Sequence, residues 1–151
     1  MNNFEMLSKQ LMRDEGIIPH AYKDSLGFLT IGVGRLIDVR KGGGLTREEI
    51  LHLLHNDILN HTKAVMNHLP WADPSVIGAA RFAGLVNMHF QLGDGLWKFP
   101  KMLAALERKD YEEAYKQAIE TNPAIIGDEW PEQTPKRAQR IAEQLRTNQW
   151  T

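Results

Sequence analysis

The chain has 151 residues, 42% apolar and 25% charged, which fits one globular domain with a real core and excludes wholesale disorder. It contains no cysteine, so a disulfide scaffold, a thiol nucleophile and a cysteine-built zinc site are excluded. The net charge of −1 lacks the basic balance of a typical nucleic-acid binder, and no run of 18 apolar residues offers a membrane span.

The first segment reads as a helix that Asn2 or Asn3 caps, with Phe4, Leu7, Leu11 and Met12 at helical spacing and Gly16 as its stop. Charges at Glu5, Lys9, Arg13, Asp14 and Glu15 argue against a secretory signal there. Two β-prone runs, Ala21 to Asp24 and Phe28 to Gly34, flank Ser25-Leu26-Gly27 and predict a hairpin. Arg40 to Gly44, with three successive glycines, reads as a loop.

Leu45 to Glu49 opens the longest helix, with Thr46 and Glu49 spaced as a capping box. Leu51, Leu54, Ile58, Val65 and Leu69 form one apolar stripe, and the helix runs to about Leu69. Some 23 residues span roughly 35 Å, long enough to connect two lobes. Asp73-Pro74 restarts a helix. Val76 to Leu92 is apolar nearly all round and reads as one buried central helix, with Gly78 and Gly84 inside it for close packing and Gly93 and Gly95 ending it. Pro100 to Arg108 and Tyr111 to Glu120, the latter capped by Asp110, are shorter helices. Asn122 to Gln133 reads as a loop, and Thr134-Pro135 starts a last helix that ends near Arg146. Residues 101–132 carry four cations against eight acids, and residues 133–151 carry four cations against Glu143 alone. A basic terminal helix in a near-neutral chain points to an anionic ligand or to an intramolecular acidic partner. The fold class is therefore α+β and predominantly helical, with one small antiparallel sheet.

Glu15 falls in the last turn of the first helix, where the backbone dipole disfavours a carboxylate and favours the protonated form that a general acid needs. Asp24 closes the first hairpin run and Thr30 lies on the second. Each has an ordinary reading alone: an exposed helix-end acid, a turn aspartate, a β-prone threonine. Together, two acids on a helix end and an adjacent hairpin match what glycoside hydrolysis requires, with one acid to protonate the leaving oxygen and one carboxylate to activate water or attack carbon.

Asn3-Phe4-Glu5-Met6-Leu7, Asp14-Glu15-Gly16, Tyr22-Lys23-Asp24 and Thr30-Ile31-Gly32-Val33-Gly34 resemble the phage-type lysozymes, the T-even bacteriophage endolysin family. The spacing Glu-x8-Asp-x5-Thr matches that family's catalytic pattern. Asn87-Met88, Phe90-Gln91, Gln133-Thr134-Pro135, Arg137-Ala138, Arg140, Arg146-Thr147 and Trp150 extend the resemblance over nearly the whole chain. The resemblance implies a two-lobed lysozyme-like fold, a single domain over 1–151 with an N-terminal lobe about 1–45, a connecting helix about 46–69 and a helical C-terminal lobe about 70–151. It implies a muramidase that cleaves the β-1,4 bond between N-acetylmuramic acid and N-acetylglucosamine in bacterial peptidoglycan, with inversion. Glu15 is then the acid, Asp24 the base or electrostatic stabiliser, and Thr30 the residue that holds the water. Arg137 would pair with Glu15 across the cleft, and Leu36, Phe90, Gln91 and Gln117 would touch substrate. No metal or cofactor is implied, nor nucleic acid or stable membrane insertion. A monomer is expected, held in the host cytoplasm until lysis.

The departures from the family are local. The chain inserts about one helical turn between Leu7 and Asp14, and Ile37 to Gly44 replaces a small helix on the rim of the family's cleft. Arg35 stands where a histidine is common, and an ion pair with Asp57 is expected. His52, His55, His61 and His68 lie on the long helix without a His-Glu-x-x-His pattern or a shared face, so a metal site is not expected. Two alternatives remain open: a non-catalytic peptidoglycan-binding module of the same fold, and a lytic transglycosylase.

Overall fold

A computed structural model describes residues 3–120 and 130–151. Residues 1, 2 and 121–129 lie outside it, and with them the Asn2 cap and most of the loop expected over Asn122 to Gln133. The chain divides into two compact units, Met1–Leu53 and Leu54–Thr151.

In the first unit, α1 (Asn3–Glu15) presents its apolar residues to solvent; none of its side chains is buried. Three strands follow, β1 (Ile18–Lys23), β2 (Leu29–Gly32) and β3 (Arg35–Leu36), antiparallel in the order β1-β2-β3. Tyr22 stands opposite Thr30, and Thr30 opposite Leu36, so Thr30 occupies the middle of the sheet. Ile18 pairs with Gly32 in a different register, which marks an irregularity in β1. The expected hairpin is thus the first half of a three-stranded sheet. A two-residue β3 is too short to show a period-2 pattern, which is why sequence periodicity passes over it. Arg40 to Gly44 is not a slack loop either: a 3₁₀ turn, Val39–Lys41, starts on Asp38 and closes on Gly42, whose φ is +66°.

The long helix α2 (Arg47–His68) contains the boundary between the units. Its capping box forms in both directions: the Thr46 N–H donates to Glu49 (2.8 Å) and the Glu49 N–H donates to the Thr46 hydroxyl (3.2 Å). Glu49 also takes the fork of Arg35. The ion pair expected between Arg35 and Asp57 is therefore corrected: Arg35 pairs with Glu49, whose carboxylate the cap already points back toward the start of the helix. The Thr46 N–H and then Arg35 hold the Glu49 carboxyl below its usual range. The apolar stripe of α2 is buried only at its end, at Val65 and, just beyond the helix, Leu69; Leu51, Leu54 and Ile58 are exposed.

The second unit holds the hydrophobic core. Among the described residues, six further helices, α3 (Pro74–Ile77), α4 (Ala79–Leu92), α5 (Pro100–Glu107), α6 (Tyr111–Ile119), α7 (Trp130–Gln133) and α8 (Pro135–Thr147), pack with the end of α2 and a 3₁₀ segment Gly93–Lys98. Asp73 and Asp110 cap α3 and α6 as expected, accepting from the Ser75 (2.8 Å) and Glu113 (3.2 Å) N–H groups. Thr134 does not cap α8 with its side chain. Its hydroxyl donates instead to the Trp130 carbonyl (3.1 Å) and accepts from Gln91 (3.3 Å).

The central helix is two helices, not one. Gly78 breaks it at φ +99°, and the position takes only glycine, since a Cβ there would fall 2.3 Å from the Asn148 side chain, which ends α8. Gly84 fits the expected close packing: its Cβ would approach Leu145 Cδ2 to 3.1 Å. Arg81 satisfies helix-end carbonyls at this junction, donating to Ile77 (3.0 Å), Leu145 (2.7 Å) and Arg146 (2.8 Å) with its guanidinium over the Tyr111 ring. The basic α8 finds intramolecular partners: Arg146 pairs with Glu143 and with Glu112 of the acidic α6 (3.4 Å). No helix among the described residues is long and apolar enough to cross a membrane.

Candidate functional site

The first unit brings Glu15, Asp24, Thr30 and Leu36 onto one small scaffold. Asp24 sits where β1 ends and the chain turns. Its Oδ1 accepts the N–H groups of Leu26 (2.9 Å) and Phe28 (2.8 Å), the aspartate turn that short polar side chains favour. Its own N–H donates to the Phe28 carbonyl (2.9 Å), and its carbonyl accepts from Gly27 (3.0 Å). Four local bonds fix the residue, and they hold one carboxylate oxygen, Oδ1.

Thr30 is buried in the sheet and its hydroxyl donates to the same Phe28 carbonyl (3.2 Å). Asp24 and Thr30 are therefore tied to one peptide group. With its proton committed to Phe28, the Thr30 oxygen keeps its lone pairs to accept a bond from a water or hydroxyl.

Glu15 is the last residue of α1 and is exposed. Its carboxylate lies against the β2–β3 turn: a Cβ on Gly34 would stand 3.2 Å from Glu15 Oε2. Gly34 also has φ +69°, a left-handed conformation suited to glycine. The turn thus needs glycine for its backbone and for room beside the acid. Leu36 stands opposite Thr30 on β3.

The remaining candidates belong to the second unit. Phe90, 40% exposed, and Arg137 line one cavity of about 580 Å³ whose walls are mainly apolar, with Phe82, Val86 and Trp150. Arg137 donates to the Asn87 side chain (2.6 and 3.0 Å). Gln91 is engaged at both ends of its amide, accepting from Trp130 (2.8 Å) and donating to Thr134. Gln117 donates to Glu113 (2.9 Å) and Glu120 (3.2 Å) on and just after its own helix.

Two residues that sequence reasoning passed over act on the first group. Asp38 is buried and accepts from the Leu29 N–H (3.0 Å) and from Arg40 (2.6 and 2.8 Å). Arg40, then the Leu29 N–H, hold the Asp38 carboxyl far below the usual carboxylate range. The signal was present in the sequence: an aspartate two residues before an arginine and four before a glycine is the start-and-stop signature of a short helical turn. Among the described residues no group of three or more histidine, cysteine or acidic side chains is placed to hold a metal ion.

Comparison with known proteins adds an independent line. The family model described as phage lysozyme matches residues 12–140. The chain is 31% identical to a probable T4-type lysozyme 2 of Dictyostelium discoideum over 89% of its own length and 90% of that protein. It is 25% identical to a probable T4-type lysozyme 1 of the same organism, over 93% and 94%. It is also 29% identical to the pre-baseplate central spike protein Gp5 of Enterobacteria phage T4, over 89% of this chain, which spans only 26% of that protein.

Proposed function

Since this chain belongs to the phage lysozyme family, we propose that it is a muramidase that hydrolyses the β-1,4 bond between N-acetylmuramic acid and N-acetylglucosamine in bacterial peptidoglycan, with inversion. The observation that carries the reading is the shared anchor of Asp24 and Thr30 on Phe28, on the same small sheet whose turn receives Glu15.

Glu15 donates its proton to the bridging oxygen as the bond from that oxygen to the anomeric carbon breaks. A water attacks the same carbon from the opposite face. It donates hydrogen bonds to the Asp24 carboxylate and to the Thr30 oxygen, and Asp24 takes its proton. Placing the water over one carbon by two acceptors fixed to a single residue, Phe28, lowers the entropic part of the barrier. In this reading substrate contact extends to Leu36 in the first unit and to Phe90, Gln91, Gln117 and Arg137 in the second. The action on the wall causes lysis after a period in the host cytoplasm, and the enzyme works as a monomer without cofactor.

The test is clearing of a suspension of bacterial walls, with products weighed by mass spectrometry. Glu15→Gln, which keeps size and removes the proton, should lower turnover about 10²- to 10⁴-fold. Wild-type products should carry one added water per cleaved bond; anhydro-sugars would identify a lytic transglycosylase, and intact walls would identify a binding module. The match to the spike protein supports a second reading, the same chemistry within a larger assembly. A polypeptide longer than 151 residues in the native source would favour it.

A further inference from the structure

We infer that Asp38 and Arg40 are positioning residues for the reaction, a charged clasp that sets the Asp24–Thr30 pair from behind; the inference rests on the reading of Asp24 and Thr30 as the groups that handle water.

The turn that carries Asp24 has little apolar support. Leu26 at its tip is 77% exposed, and the buried side chains of residues 3–53 are Thr30 and Asp38 alone. What grips residues 27, 28 and 29 comes from the segment 38–41. The Arg40 guanidinium donates to the Gly27 carbonyl (3.0 Å). The Phe28 ring lies under the cations of Arg40 (5.1 Å) and Lys41 (4.7 Å). The Leu29 N–H donates to Asp38 Oδ2. The middle one, Phe28, anchors the Asp24 carboxylate by its N–H and the Thr30 hydroxyl by its carbonyl, so a shift of the clasp moves carboxylate and hydroxyl together.

The clasp is itself seated. The Asp38 carbonyl accepts from Lys41 (3.1 Å) and Gly43 (3.0 Å), and the Gly44 N–H donates to the Leu36 carbonyl (3.1 Å), which ties the segment to β3. A Cβ on Gly43 would come within 2.8 Å of that Leu36 carbonyl, so the close approach depends on glycine. Both Asp38 oxygens are occupied, and the bidentate arginine fork fixes the orientation of the pair as well as its distance. Asp24 in turn contributes to holding Arg40 protonated.

The experiment compares the full chain with Asp38→Asn, Arg40→Met, Arg40→Lys and Glu15→Gln on soluble peptidoglycan fragments across pH, with thermal midpoints measured in parallel. Asp38→Asn and Arg40→Met should lower kcat about 10- to 100-fold with KM within about twofold, as misplacement of reacting groups does. Arg40→Lys restores the charge without the bidentate fork and should recover only part of the lost kcat. Unchanged kcat in both Asp38→Asn and Arg40→Met overturns the inference, as does a loss of kcat that only follows the thermal midpoint from variant to variant. A Glu15→Gln protein that keeps its turnover overturns the hydrolase reading instead. An inactive Glu15→Gln beside fully active Asp38→Asn and Arg40→Met overturns the clasp alone.

Discussion

In residues 3–53 the buried side chains are Thr30 and Asp38, both polar. Among the described residues from 54 onward they are chiefly apolar and form one cluster around Leu85, Met88, Met102, Leu106 and Leu145. The first unit is held by directional bonds to a few backbone groups, around Asp24, Asp38 and Arg40. The second is held by area removed from water, with polar groups such as Gln144 and Arg81 used to satisfy carbonyls inside it. Directional bonds fix a few atoms to within tenths of an ångström, which suits a reacting constellation, whereas burial stabilises without specifying a point. The candidate catalytic groups lie in the unit built the first way.

The contrast can be broken most directly in the core. Leu85→Ala removes a fully buried side chain and should cost about 2–5 kcal/mol in the second unit, read as a fall in the urea midpoint. A loss under 1 kcal/mol would mean that this unit is not held by its core.

Acid should separate the units by pH. In the second, His61 and His89 face each other through their Nδ1 atoms at 2.7 Å, and His89 Nε2 is buried without a hydrogen bond, 4.0 Å from Asp94. Burial first, then His61 and to a smaller extent His68, lower the His89 pKa, against an opposing pull from Asp94. The unfolded chain therefore binds a proton at His89 that the folded chain resists, and stability should fall as pH drops below about 6.5. Asp38 has the other arrangement. Its carboxyl is held down in the folded state, so its contribution is present above about pH 4 and is lost only as the pH falls below that. Hydrogen exchange at pH 7, 5 and 3 should show protection falling in residues 54–151 before it falls around residues 24–40. His89→Gln should flatten the first step and leave the second. The reverse order of loss would contradict the assignment.

The smallest effect should come from Leu26→Ala. The side chain is an apolar residue in the turn beside Asp24, yet it is exposed, so its removal should change stability by no more than about 0.5 kcal/mol. A larger loss in thermal unfolding would show that apolar contact supports this turn after all.

What the sequence determined by itself was much of what depends on neighbours in the chain, though not the Asp38-capped turn at Val39–Lys41 or the side-chain role of Thr134. The Thr46–Glu49 box, the Asp73 and Asp110 caps and the hairpin around Ser25-Leu26-Gly27 follow from backbone groups a few residues apart, and they form as the spacing predicts. The motif spacing of Glu15, Asp24 and Thr30 likewise sufficed to name them as candidates. Tertiary structure alone decided the rest. Position 78 takes only glycine because Asn148, seventy residues away, occupies the space a Cβ would need. Arg35 takes Glu49 because a capping bond had already aimed that carboxylate. Asp38 becomes the buried centre of a clasp because β3, which no periodicity reveals, carries the glycine segment back under the Asp24 turn. In each case the deciding atom belongs to a distant part of the chain, and a linear pattern cannot encode a distance that only folding creates.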